Sequence, residues 1–135
     1  MECVFCKIIN KELPAYIVYE DEDTMAFLDI NPVSKGHLLV VPKKHYSRLS
    51  EIPQEELKRF FQGLQNVVKM VESNLSKHYN IVVNQGELAG QVINHLHFHI
   101  IPRYGNEQIF VWLTHKLSKE EAQEVLEKLG KNLIV

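Results

Sequence analysis

The chain has 135 residues, 45% apolar and 24% charged, the make-up of an ordinary globular domain long enough to bury a core without disulfides. A formal net charge of −2 and a pI near 6.4 exclude a surface built to coat nucleic acid, which shows as a basic excess. No apolar run reaches the length of a membrane span and Met1-Glu2-Cys3 does not begin a signal peptide, so a single cytoplasmic domain over 1–135 is expected, away from membranes.

Cys3-Val4-Phe5-Cys6 leads into Lys7-Ile8-Ile9-Asn10, which reads as a short helical turn. The Cys-x-x-Cys spacing admits three readings: a redox pair, half of a metal site, or two unrelated buried thiols. A redox pair normally opens a helix that follows a strand, and no strand precedes this one. A zinc site needs two further ligands, which the histidine-rich remainder can supply. Two strands follow, 17–20 and 24–30, joined by the tight acidic turn Asp21-Glu22-Asp23. Asn31-Pro32 ends the second. The nearly continuous apolar run from His37 to Pro42 predicts a central strand covered on both faces.

Residues 53–75 form the one long helix. Pro53 suits its first position, and Glu55 and Glu56 its first turn, where the helix dipole favours them. Leu57, Phe60, Phe61, Leu64, Val67, Val68, Val71 and Leu75 recur at helical spacing and make a core stripe. Strands are expected over 79–84 and 95–101. Ser118 and Glu121 form a capping box for a last helix that ends at Gly130, with Ala122, Val125, Leu126 and Leu129 facing inward. Hairpin-paired strands with a helix on one side define an α+β fold: a five-stranded, mainly antiparallel sheet, one long helix packed on it, and a C-terminal helix.

The densest chemistry lies in 84–103. His95, His97 and His99 alternate with Leu96, Phe98 and Ile100, the period of a strand. One face is then imidazole and turned away from the core, the other apolar. Gly86 and Gly90 bracket a loop ahead of the row, and close-approaching backbone N–H groups suit an anionic phosphate. A neutral imidazole can attack phosphorus, which makes the middle ring, His97, the natural nucleophile. His99 is then placed to donate a proton or stabilise charge.

The pattern His-x-His-x-His, with Ala26-Phe27-Leu28-Asp29-Ile30, Gly36-His37-Leu38-Leu39-Val40-Val41-Pro42-Lys43-Lys44-His45 and Gly90-Gln91, resembles the histidine triad family of nucleotide hydrolases and transferases over about residues 3 to 112. The resemblance implies that His97 is the nucleophile and that His37 supports orientation or phosphate contact. It makes Asp29 the acceptor for ribose hydroxyls, Phe5, Ile8, Phe27, Leu28 and Ile30 the walls around the base, and Asn84 and Gln91 polar residues near the phosphate. Zinc-bearing members bring an amino-terminal Cys-x-x-Cys together with a Pro-x-x-His histidine and the first triad histidine. Here those are Cys3, Cys6, His45 and His95, a closed structural set of two sulfurs and two nitrogens.

Two positions depart from the pattern. Val92 stands where Ser or Thr is frequent, which removes a hydroxyl and leaves only a backbone amide there, and Asn94 replaces a frequent aromatic residue. His99, and not Gln, closes the triad, as in the family's hydrolases. The resemblance thus implies a homodimeric hydrolase that cleaves at the α-phosphate of a purine nucleotide conjugate, with nucleoside phosphoramidates ahead of dinucleoside polyphosphates. Two rivals are a hydrolase using a catalytic ion on His95, His97 and His99, and a non-catalytic nucleotide-binding module.

Overall fold

The fold is taken from a computed structural model that describes residues 2–106 and 108–131. A short helix α1 (Val4–Ile9) precedes the hairpin β1 (Ile17–Glu20) and β2 (Thr24–Leu28), then β3 (Leu38–Pro42), the long helix α2 (Gln54–Asn74), β4 (Tyr79–Val82), β5 (Phe98–Pro102) and α3 (Lys119–Lys128). The sheet order is β1-β2-β3-β5-β4, antiparallel at every junction, so the expected α+β architecture is observed and β3 lies at the centre.

Local chemistry explains the turns. Asp21 Oδ1 accepts the N–H groups of Asp23 and Thr24 at 2.8 Å, which closes the β1–β2 hairpin as an Asx turn. Alternation then sorts the strands. Ala26, Leu38, Val40, Phe98 and Ile100 face α2, where they meet Phe60, Leu64, Val67 and Val71. Met25, Phe27, Leu39 and Val41 face the other way, against Phe5 of α1. All five residues of β3 are buried, as the continuous apolar run requires.

Several boundaries differ from the sequence reading. The second strand stops at Leu28, and the fourth at Val82. Pro53 caps α2 from outside and does not occupy its first turn. The histidine strand begins at Phe98, because Leu96 donates its N–H to Tyr46 O and draws 95–97 away from the ladder with β3. The triad face is turned away from the α2 core, as expected, and α1 covers it, burying His95 and His97. Phe61 and Leu75 lie at the exposed margin of the helix stripe.

The last helix departs most. Ser118 Oγ accepts the Glu121 N–H at 3.1 Å, as a cap should, but the Glu121 carboxylate turns to His115 at 2.9 Å. No residue of α3 is buried, and Val125 and Leu129 are 46% and 66% exposed. The apolar side expected to face inward meets no core among the described residues. Among those residues, too, no helix is long and apolar enough to cross a membrane.

Candidate active site and metal-ligand cluster

The β3–β5 register pairs Leu39 with His99, which puts the His99 ring on the α1 side of the sheet. There α1 forms a roof. The Phe5 ring stands edge-on to Phe27, His95 and His97 at centroid distances of 5.4, 5.9 and 5.2 Å. Beneath it opens a cavity of about 930 Å³, at the upper end of ordinary ligand pockets. Its walls include Phe5, Ile8, Phe27, Leu28 and Ile30, all five of the predicted apolar positions. Asp29, Asn84, His97 and His99 line it as well. Leu39, Ile93 and Tyr16 complete the walls. Leu39 reads as core in the sequence, within the continuous apolar run, and only the sheet register could have assigned it to the cavity.

The ring of His97 lies close to the chain that carries it. Its Nδ1 stands 2.7 Å from His95 O, a carbonyl that can only accept. The proton therefore sits on Nδ1 and the lone pair on Nε2. Beside it, His37 takes the opposite tautomer: Val33 N–H donates to His37 Nδ1 at 2.9 Å, so Nε2 carries the proton. That proton is donated to His99 Nδ1 at 3.0 Å, which in turn makes His99 Nε2 a donor. One backbone amide thus sets the tautomers of two rings. Burial pushes the His37 pKa down and holds that of His99 near 4, so both rings are neutral at pH 7. His99 in the free protein is a neutral donor.

Asp29, His37 and His99 also place donor atoms within 4.8 Å of one another, a spacing a cation could use. The tautomer argues against it. His37 Nε2 cannot both carry a proton and ligate, and its Nδ1 already accepts from Val33. Asp29 Oδ2 lies 3.5 Å from His37 Nε2, while Oδ1 accepts the Asn31 N–H at 2.8 Å. The three groups form a proton-bearing chain.

The loop 84–93, expected to meet a phosphate, is built differently from the sequence expectation. The Gln91 side chain is spent inside it: Oε1 accepts Gly86 N–H at 2.8 Å, and Nε2 donates to Ser47 O at 3.1 Å and Ile93 O at 3.3 Å. Gln91 braces the loop and does not line the cavity. The Ala89, Gly90 and Gln91 N–H groups are likewise bonded within the loop, to Gly86 O and Glu87 O. The Val92 N–H has no partner among the described residues, and Val92 lines the cavity. Gly86 and Gly90 hold φ of 94° and 95°, conformations that an L side chain resists.

On the far side of Phe5, Cys3, Cys6, His45 and His95 bring one ligand atom each to within 4.8 Å of one another, close enough to hold a metal ion. His95 Nε2–H donates to Pro42 O at 2.8 Å, which leaves Nδ1 free to face the thiols. Burial lowers the His95 pKa to about 4, keeping the ring in its ligating form. Burial and the neighbouring Cys3 raise the Cys6 thiol to about 11.

Residues 10–106 match the HIT domain family, and the chain belongs to that family. It is 59% identical, over 76% of this chain and 79% of the relative, to an uncharacterised HIT-like protein of Methanocaldococcus jannaschii. It is 35% identical, over 98% and 99% of the two chains, to the adenosine 5'-monophosphoramidase hnt1 of Schizosaccharomyces pombe. The crystal structure of a HIT family member from Bacillus subtilis covers 100% of this chain and 99% of its own, with a TM-score of 0.87 at 38% identity.

Proposed function

We propose that the protein is a nucleotide hydrolase that cleaves the α-phosphate of purine nucleoside phosphoramidates through a nucleotidyl-His97 intermediate. The observation that carries this is the His97 tautomer: with Nδ1–H held by His95 O, Nε2 keeps its lone pair within the wall of a nucleotide-sized cavity. The relative from Schizosaccharomyces pombe named a monophosphoramidase supports the substrate class.

In the first step His97 Nε2 attacks phosphorus in line, forming a P–N bond as the bond to the leaving amine breaks. The bound phosphate raises the proton affinity of His99. The added proton enters at Nδ1, displacing the bond from His37, and His99 Nε2 then gives its own proton to the departing amine, which leaves a neutral ring. In the second step water attacks phosphorus from the vacated side, passes its proton to His99, and the P–N bond to His97 breaks. Charge on the non-bridging oxygens is met by His99 and the Val92 N–H. Asp29 accepts from the ribose hydroxyls, the five apolar positions enclose the base, and Asn84 approaches the phosphate.

The ligand cluster fits a structural zinc. Bonds of about 2.3 Å to sulfur and 2.0–2.1 Å to nitrogen make tetrahedral sulfur–nitrogen edges of about 3.5 Å. The sulfur–nitrogen separations here are 3.3, 3.4 and 3.6 Å. A closed four-ligand zinc supplies rigidity, pinning α1 over the cavity. The protein is further proposed to act in the cytoplasm as a homodimer. The tail that carries Trp112 and Leu113, 83% and 100% exposed, and the unburied α3 supply apolar surface for a second copy.

The decisive experiment is a rapid quench with labelled adenosine phosphoramidate. It should leave an acid-labile, base-stable adenylyl group on His97. His97→Ala should fold and bind nucleotide but lose several orders of magnitude in kcat, and brief EDTA treatment should leave activity intact. Substantial turnover by His97→Ala, or label on another residue, refutes the mechanism.

A further inference from the structure

Arg103 follows directly on β5 and lies against the start of β4. Its N–H is donated to His78 O at 2.7 Å, and its carbonyl accepts the Ser76 hydroxyl at 2.7 Å. The side chain is buried, 6% exposed. Nε donates to Asn80 Oδ1 at 2.8 Å and Nη1 to Gln108 O at 3.2 Å, while the Phe110 ring covers Cζ at 4.9 Å. Among the described residues Nη2 is the one buried side-chain nitrogen or oxygen without a hydrogen-bond partner. A guanidinium is charged at every physiological pH, and a buried donor left unpaired holds back free energy that a ligand can recover.

Arg103 lines a second cleft, of about 630 Å³, at the β4 margin of the sheet. That volume is within the range of small-ligand sites. The cleft shares no lining residue with the cavity beside His97. Lys77 and His78 stand exposed on its wall, and among the described residues neither makes an ion pair. Among the same residues no carboxylate lines the cleft, although the chain as a whole carries a net charge of −2. Phe110 and Trp112 add exposed rings. Basic groups around an unpartnered guanidinium select an oxyanion, and the rings select a flat body to carry it. Leu113 and α3, the rest of the apolar surface offered to a second copy, lie outside the cleft.

We infer that this cleft is a second ligand site, one that binds a small aryl oxyanion: a carboxylate or phosphate borne on a planar ring. The oxyanion takes charge-assisted hydrogen bonds from Arg103 Nη2, with Lys77 and His78 facing its outer oxygens. Nη2 is wholly covered in the free protein, so Phe110 moves aside as the oxyanion enters. Residues 108–112 carry no helix or strand to resist that movement. The rings of Phe110 and Trp112 then pack on the ring of the ligand. No step of nucleotidyl transfer is involved, and the site stands whether or not His97 forms a covalent intermediate.

Trp112 is the one tryptophan of the chain, so its emission reports on this cleft. The intact protein is titrated with phenyl phosphate, benzoate, benzamide and inorganic phosphate, which separates ring from charge and phosphate from carboxylate. At least one aryl anion should give a saturable change with half-saturation below about 1 mM, and the tighter of the two names the oxyanion. Benzamide, without the charge, and inorganic phosphate, without the ring, should each bind about tenfold more weakly or worse. Lys77 is exposed, so Lys77→Ala should keep its Tm and weaken the aryl anion by about two- to fivefold. Arg103→Lys keeps the charge but removes Nη2, and should weaken binding by about tenfold or more. Should that variant not fold, 15N NMR of the unaltered protein carries the same test: the Arg103 Nε–H signal should shift with the aryl anion and stay in place with benzamide. No saturable change up to about 10 mM, equal affinity for benzamide or inorganic phosphate, or unaltered affinity in folded Arg103→Lys would overturn the site. An emission that follows protein concentration and ignores all four compounds would assign the cleft to a second copy and overturn it too.

Discussion

Gly63 lies in the middle of α2, where replacement by alanine ordinarily strengthens a helix by about 1 kcal/mol. Here the opposite is expected. Gly63 is buried where α2 crosses β2, and a methyl group built on it would stand 2.7 Å from Thr24 Cβ and 2.9 Å from Thr24 Cγ2, with Oγ1 closer still. Thr24 cannot swing away: it is fully buried on the ladder with β3, and its hydroxyl faces Phe60 O at 3.4 Å. Forcing a methyl into a packed core costs about 1–3 kcal/mol. With three Thr24 atoms under 3 Å the cost falls in the upper part of that range, about 2–3 kcal/mol, so after the propensity gain Gly63→Ala should destabilise by about 1–2 kcal/mol and lower Tm by roughly 3–8 °C. Equilibrium urea denaturation of Gly63→Ala, Thr24→Ala and the double variant separates the causes. In the Thr24→Ala background the cost of Gly63→Ala should shrink by about 1 kcal/mol or more. Activity should hold, because α2 packs on the sheet face opposite His99. A Gly63→Ala protein that is more stable, or a penalty indifferent to Thr24, would refute the close approach of α2 to β2.

Asp29 should make the enzyme prefer ribose: 2'-deoxy conjugates are expected to lose about 1–3 kcal/mol in kcat/KM, and equal values for ribo- and deoxyribo-substrates would remove Asp29 from the sugar. Protein purified without added metal should hold about one zinc per chain by elemental analysis, and Cys3→Ala should lower Tm more than it lowers the intrinsic rate; metal-free protein of full stability with a Cys3–Cys6 disulfide would refute the site. Burial holds folded His99 near pH 4 while the unfolded ring titrates near its ordinary value of 6.5, so between those values the unfolded state binds the extra proton. Stability should therefore fall as pH drops from about 6.5 to about 4, and His99→Asn should lessen that slope by up to about 1.4 kcal/mol per pH unit, measured in urea melts at pH 5 and pH 7.

The order of elements, the apolar stripe of α2, the buried run of β3 and the Cys3-x-x-Cys6 pair were legible in the chain, because each is a local pattern of spacing or residue type; His45 and His95 joined that pair only through the resemblance to zinc-bearing members of the family. His97 was legible from local pattern, as the middle of an alternating row. Its tautomer was not. The carbonyl that fixes it belongs to His95, two residues away, and only the departure of 95–97 from the ladder brings that oxygen under the ring. The pairing of His37 with His99 spans 62 positions and follows from the β3–β5 register, which no periodicity within one strand contains. Pattern equally left open what covers an element at both ends of the fold. Alternation turned the triad away from the α2 core, but that α1 crosses above it and makes the cavity was not contained in it. Helical spacing implied that α3 buried a stripe, yet none of its residues is fully buried: Ala122 and Leu126 are half-covered and Val125 is exposed. A sequence pattern states which side of an element is apolar; what covers that side is decided by contacts between distant segments, or by another molecule.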